Sequence, residues 1–541
     1  MTNMLAQPAA MAAAAADVAG LGSAISEANA AAVTRTTGVL AAAADEVSAA
    51  TATLFNDFGR EYQAVTRLIE GYRSDFAAAL AAAANAYAGT EATSVGALAA
   101  AATPPFTFPA NYASVFISGS GNGMPSPDYI TTVLANYIKP AFPGGLLSNA
   151  FAMFTPAGLY PLTGTTVLTL NESVAQGLQI LDTTLFGTAA GQHGLITPGG
   201  NPVVVHGISQ GAIIASLEMQ KLLNMHSPLT DQQLGFQLLG DPMNPNGGLF
   251  ARFPGLSFPS LGQTFYGATP SNTVWPTTIY TLEYDGISDW PQYPINVLAD
   301  LNAFAGFYYA HPLYPSLNPA ALPTGYELKM LQPSQGYAGN TTYYMITNPH
   351  LPLVQPLRSI PLLGNAMADL LEPDLRVLVN LGYGDVAHGY STGPPDVPTP
   401  FGVFPSVDPQ ALLGHLATGT QQGITAFGND LAGLTLSDVA DVFKWNPVSA
   451  IGGALPANFT DAFAKVQPTV NIATALLTAV PAYDAQLFVD GIQQMVNGAP
   501  VEGLVNAIGR PIAATVGLST LLAGYELFVL TGAWYPPPTP L

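Results

Sequence analysis

Large apolar residues at Phe58, Tyr62, Val65, Ile69, Tyr72, Phe76 and Leu80 recur at steps of three and four, which draws a single stripe along a helix. Leu40, Val47 and Leu54 continue the stripe upstream, within an Ala-rich block that reaches about residue 95 and is nearly free of proline after Pro8. Thr34 to Gly38 breaks the block with β-branched residues and a glycine, so a turn is expected there between two antiparallel helices. Such a hairpin is too thin to bury both of its faces.

The Pro-rich stretch Ala101 to Pro109 reads as a linker, and the pattern changes after it. Short apolar runs at Ala113–Ser118, Thr166–Leu170, Pro202–His206, Phe236–Leu239, Thr278–Tyr284 and Thr342–Ile346 predict strands. Helical spacing lies between them, as in Val174, Leu178 and Leu181, in Gln210–Leu223 and in Asn296–Ala310. Alternation of this kind predicts an α/β domain with a mainly parallel sheet covered by helices on both faces. From about residue 396 the chain turns to short apolar helical stretches cut by glycine and proline, ending in Tyr535-Pro536-Pro537-Pro538. The expected organisation is a helical hairpin over 1–95, a linker over 96–112, an α/β domain over 113–395 and a helical region over 396–541 packing on it.

At 541 residues the chain is long enough for two or three units. Only 9% of it is charged, against about 25% in a typical soluble protein. The 34 acidic and 13 basic residues give a net charge of −21 with no basic cluster, which argues against nucleic acid and against anionic headgroups as partners. Apolar contact with lipid and peripheral association with a cell envelope stay compatible with it. No transmembrane span is expected, because the most apolar run, Ile512 to Leu530, contains Ser519, Thr520 and Glu526. The N-terminus lacks a basic n-region, so export would need a route other than a classical signal peptide. The absence of cysteine removes a thiol nucleophile and thiolate metal sites, and neither metal nor organic cofactor is expected.

Gly207-Ile208-Ser209-Gln210-Gly211 matches Gly-x-Ser-x-Gly, a pattern of moderate specificity in a glycine-rich chain. Its context sharpens it: a buried-strand run precedes it and a helix opens directly after it. Strand, sharp turn and helix form the elbow that exposes a serine hydroxyl at the top of a parallel sheet. Ser209 is therefore the candidate nucleophile, with oxyanion donors expected from the backbone of Gln210 and from Ser120 in the turn Gly119-Ser120-Gly121. A serine needs a base, and the base an orienting carboxylate. His350, in the loop beyond Thr342–Ile346, is placed first, with His311, at the end of the helix 296–310, as its rival. Asp289 is preferred over Asp285 in the turn Tyr284–Pro291, since Asp285 can instead cap that turn through its own backbone. Asp241 is third.

Two resemblances extend this reading. The run Ala14 to Ala32 and the segment Ala44-Asp45-Glu46-Val47-Ser48 resemble the PE domain of mycobacteria, although Pro8-Ala9 stands where that family carries Pro-Glu. Tyr87 and Glu91 then match the Tyr-x-x-x-Asp/Glu export signal of such domains, which implies type VII secretion, a secreted or cell-wall location and pairing with a PPE-type helical partner and a secretion chaperone. Residues 113–395 resemble the PE-PPE domain, in Gly119-Ser120-Gly121, the Ser209 pentapeptide, Gly240-Asp241-Pro242, Tyr284 through Pro291 and His350-Leu351-Pro352-Leu353. This resemblance implies an α/β-hydrolase, cutinase-like fold with Ser, Asp and His at its site, and hence esterase or lipase activity. Two alternatives share the sequence: an acyltransferase that hands the same acyl group to an envelope glycolipid, and an inactive adaptor that pairs through its hairpin.

Overall fold

The structure, a computed structural model, describes residues 8–45, 48–53, 55–57, 59, 60, 63, 106–188, 193–197, 200–433 and 459–532. It divides into two compact units, residues 1–100 and 101–541.

In the first unit, helix α1 (Pro8–Thr37) runs past the expected turn. Thr36 and Thr37 remain helical because their hydroxyls donate back to the carbonyls of Ala32 (2.9 Å) and Val33 (2.8 Å), which accommodates β-branched residues in a last turn. The chain leaves the helix at Gly38 and becomes helical again at Ser48, whose N–H and hydroxyl both donate to Asp45 (2.8 and 2.7 Å). Asn56 closes the connection with two bonds to the backbone of Val39. The stripe Phe58 to Leu80, apart from a few helical positions up to residue 63, and the pair Tyr87 and Glu91 lie outside the described residues.

The second unit is built on a seven-stranded sheet in the order β2-β1-β3-β4-β7-β9-β8. Its members are β1 (Ala113–Ile117), β2 (Ala150–Met153), β3 (Val203–Ile208), β4 (Leu234–Leu239), β7 (Thr277–Leu282), β8 (Leu328–Leu331) and β9 (Thr341–Ile346), all parallel except β8 at the edge. A two-stranded ribbon of β5 (Ser257–Phe258) and β6 (Gln263–Thr264) stands apart. Successive residues of the central strands enter opposite cores, Val203 and Val205 on one face and Val204 on the other, as a sheet covered on both sides requires. Helices α2 (Pro127–Val133), α3 (Leu170–Phe186), α4 (Gln210–Asn224), α5 (Val297–Tyr309), α6 (Gly364–Asn380) and α7 (Pro409–Gly433) complete the layers. The α/β class read from the sequence is the class observed.

Five of the six expected strands are present, and Thr166–Leu170 is not one of them. Its end is the start of α3: Thr169 and Glu172 form a reciprocal capping box, a local bond set that overrides the β-branched composition. Helices α8 (Phe459–Thr474), α9 (Val480–Val496) and α10 (Pro500–Thr531) share one hydrophobic core with the sheet: Ile472, Tyr483 and Leu521 belong to the same cluster as Val205 and Phe236.

Candidate active site

Strand order reverses direction between β1 and β3, and in an open parallel sheet that switch point leaves a crevice at the carboxyl ends of the two strands. Ser209 stands in it, one residue beyond β3, with φ 55° and ψ −118°. A non-glycine residue in this region is strained by about 1–3 kcal/mol, held by the strand behind it and the helix ahead. The turn closes because Gly211 has no side chain: a Cβ there would lie 2.4 Å from the carbonyl oxygen of Ile117. The loop after β1 comes equally near, since a Cβ on Gly119 would stand 3.0 Å from that of Ser209.

Gln210 and Ser120, the expected oxyanion pair, are both buried beside Ser209. Gln210 opens α4, where the first backbone N–H groups have no intrahelical acceptor and the helix dipole is positive. Its side chain has a role that sequence reasoning missed. The amide nitrogen donates to Ser120 Oγ (3.1 Å) and to the carbonyl of Gly158 (2.7 Å), while its oxygen accepts from Ser173 Oγ (2.9 Å). One glutamine thus ties the β1 loop, the 157–163 loop and α3 to the elbow.

The histidines divide sharply. His350 carries a side chain that is 52% exposed and stands 3.8 Å from Glu372, in a surface cleft of about 450 Å³ with Arg358, Arg376 and His415. The cleft beyond β9 is thus occupied by an ion cluster around Glu372. Burial pushes Glu372 up, but the nearby His350, the charge of Arg376 and hydrogen bonds from Arg358 and Leu351 N outweigh it and hold the carboxyl at about 2. His311 is buried at the start of a 3-10 turn (His311–Ser316), and its Nδ1 lies 2.8 Å from Asp285 Oδ2. A Cβ on Gly240 would fall 2.7 Å from His311 Cε1. Gly240 follows β4, and Ser209 N donates to the carbonyl of Leu239 at 3.1 Å, so the imidazole sits over the strand end next to the serine.

The carboxylates divide in the same way. Asp285 is fully buried; Oδ1 accepts from Ile287 N (3.1 Å), and Oδ2 accepts from Ser288 Oγ (2.7 Å) and Tyr314 OH (2.9 Å) besides facing His311. Asp289, the acid preferred from sequence, makes no bond to a histidine among the described residues. Its Oδ2 accepts from Tyr284 N (3.0 Å), and burial raises its carboxyl well above the usual range. Asp241 accepts from Thr269 Oγ1 (2.6 Å) and Met243 N (2.9 Å), and burial lifts it to about 6. Tyr314 was also missed; it follows His311 by three residues, the interval that places two side chains on one face of a 3-10 turn. The structure therefore brings Asp285 and His311 together at the end of β4, the strand next to the one that leads to Ser209, and shows no bond between Asp289 and His350.

A narrow cavity of about 40 Å³ opens beside Ser209, Ser120 and Gln210, with Leu159, Leu162, Phe250 and Phe307 in its wall. Tyr525 of α10 completes that wall and accepts a hydrogen bond from Gln263 Nε2 (3.1 Å). Among the described residues no group of three or more His, Cys, Asp or Glu side chains could hold a metal ion.

Comparison with known proteins agrees with this architecture. Residues 148–384 match the PE-PPE domain family, and residues 4–94 match the PE family. The chain is 39% identical to a Mycobacterium tuberculosis protein named Esterase PE16, over 99% of this chain and 100% of that one. It is 43% identical to a PPE family protein of the same species, PPE28, over 77% of this chain and 65% of that relative's length. A third protein of that species, named SL1278 acyltransferase Chp1, is 30% identical over 46% of this chain and 56% of its own. By its full-length likeness and by both of its domains, this chain belongs to the mycobacterial PE family and carries a PE-PPE domain.

Proposed function

We propose that the chain is a secreted serine ester hydrolase in which Ser209 attacks an acyl carbonyl, His311 takes its proton and Asp285 orients the imidazole. The observation that carries this reading is the 2.8 Å bond between His311 Nδ1 and Asp285 Oδ2, set over the strand end adjoining Ser209. With Nδ1 engaged by the carboxylate, Nε2 is the nitrogen left for the serine hydroxyl, the tautomer a general base requires. The negative oxygen of the tetrahedral intermediate meets backbone N–H groups at the start of α4 and in the Gly119–Ser120 turn. Collapse expels the alcohol, which receives the proton from His311. Water, activated by the same imidazole, then releases the acid. The full-length relative named Esterase PE16 supports the reaction class.

A second reading exchanges water for an alcohol acceptor, and two observations favour it: the apolar walls around Ser209, and the relative named an acyltransferase. The test uses a soluble short-chain p-nitrophenyl ester with and without added alcohol. Ser209→Ala is expected to lower turnover at least about a thousandfold and to abolish labelling by a fluorophosphonate. Undiminished turnover in that variant would remove Ser209 from the mechanism. Product formed almost wholly as the transferred ester would replace hydrolysis by acyl transfer.

A further inference from the structure

The cavity beside Ser209 has room for about one water molecule, far below the roughly 300–1,000 Å³ of pockets that take a drug-sized ligand. An acyl chain can enter only if a wall moves. Most walls come from loops and helices that flank the sheet, but Tyr525 belongs to α10, the last helix described.

Helices α9 and α10 form an antiparallel pair whose outer surface is apolar. Phe488, Val489, Val496, Val501, Val505 and Ile508 are each about half exposed or more. The stretch Ala464–Val496 has a window of mean hydropathy 1.4 of which only 28% is buried, and Pro500–Thr531 has one of 1.6 of which 56% is buried. Three of the five Asp, Glu and Arg side chains on the two helices are engaged by neighbouring groups, and the other two are exposed. Asp484 accepts from Thr515 and Glu526 from Thr469, and Arg510, the one basic residue of the two helices, stacks 5.0 Å over Phe401. The two that remain, Asp490 and Glu502, are acidic. Exposed apolar surface without cations suits a lipid surface of zwitterionic or uncharged headgroups and gives no attraction to an anionic one.

We infer that α9 and α10 dock on a zwitterionic lipid surface through this apolar face, and that docking draws Tyr525 off the cavity so that an acyl chain of a lipid ester reaches Ser209. The gate half of the inference rests on the hydrolase reading above; the docking half stands without it.

The full-length protein is tested by flotation with vesicles of phosphatidylcholine alone and of phosphatidylcholine with phosphatidylglycerol. It is expected to float with the first and no better with the second. The variant Phe488→Asp/Val496→Asp/Val501→Asp/Ile508→Asp changes only exposed positions, so its thermal midpoint and short-chain ester turnover are expected to match the parent. Its flotation is expected to fall at least tenfold. Phosphatidylcholine vesicles are also expected to raise turnover of a soluble decanoate ester severalfold in the parent and not in the variant. Failure to float, flotation that requires phosphatidylglycerol, or equal flotation of the variant overturns the docking. A dimer that the variant dissociates, seen by light scattering without flotation, assigns the face to a second copy and overturns it equally. Flotation without activation, in a protein that turns over the short ester, overturns the gate. Absence of ester turnover in a parent that floats overturns the hydrolase reading, and the gate with it, while leaving the docking intact.

Discussion

Asp285 uses its two carboxylate oxygens for different tasks: Oδ1 caps its own turn through Ile287 N, while Oδ2 meets His311 and Tyr314. A carboxylate has lone pairs enough for both, so the capping that turned the sequence reading toward Asp289 does not exclude orienting a base. Asp285→Asn is expected to lower ester turnover by about three to four orders of magnitude with little change in thermal midpoint, because the amide keeps the cap and loses the imidazole's proper partner. Asp289→Asn is expected to keep turnover within a few fold, since burial already favours the uncharged carboxyl that an amide imitates. Steady-state rates of the two variants on one soluble ester check both. His350→Gln against His311→Gln repeats the contrast on the base: turnover is expected to survive the change at the exposed residue and to fall by orders of magnitude at the buried one. Ser209 was legible from its pentapeptide because an elbow is a local structure. The Asp285–His311 pair was not, because it depends on where the turn after β7 meets the turn after α5.

At the scale of elements, strands with two buried faces announced themselves as apolar runs, whereas β2 and β8, at the sheet edges, carry exposed Phe151 and Met330 and read as neither strand nor helix. The strand expected at Thr166–Leu170 failed for a local reason, the capping box of α3. Thr169→Ala is expected to cost about 1 kcal/mol, measurable by denaturant unfolding. Two elements make stability fall on acidification. His206 in β3 is held at about 4 chiefly by burial, with its Nδ1 2.6 Å from Gln237 Oε1. Its folded value lies below the ordinary 6.5, so the unfolded chain binds the extra proton first, and this contribution is lost as pH falls from about 6.5 to 4. Glu372 in α6, held at about 2 against an ordinary 4.5, acts over the next window down. Glu372→Gln is expected to destabilise by about 2–4 kcal/mol at neutral pH and by progressively less below pH 4, as seen in urea midpoints against pH. An unchanged midpoint at neutral pH would mean that Arg358 and Arg376 find other partners at no cost.

For the whole molecule, the two compact units predict that removal of residues 1–100 leaves short-chain ester turnover within a few fold of the parent, with export in the native host as the property lost. The C-terminal helices behave differently, because they share the core of the sheet; truncation before residue 459 is expected to lower the thermal midpoint and leave an aggregating protein, visible by calorimetry and light scattering. Their packing on the α/β layers was expected from composition, but their meeting with the cavity was not, since nothing in a local sequence window links Tyr525 to Gln263. That single hydrogen bond divides the work between distant parts of the chain. The proposed reacting groups stand in turns that follow β3, β7 and α5, while one wall of the neighbouring cavity comes from the last helix. Substitutions in α10 at the cavity wall are therefore expected to shift acyl-chain preference with Ser209, His311 and Asp285 unaltered.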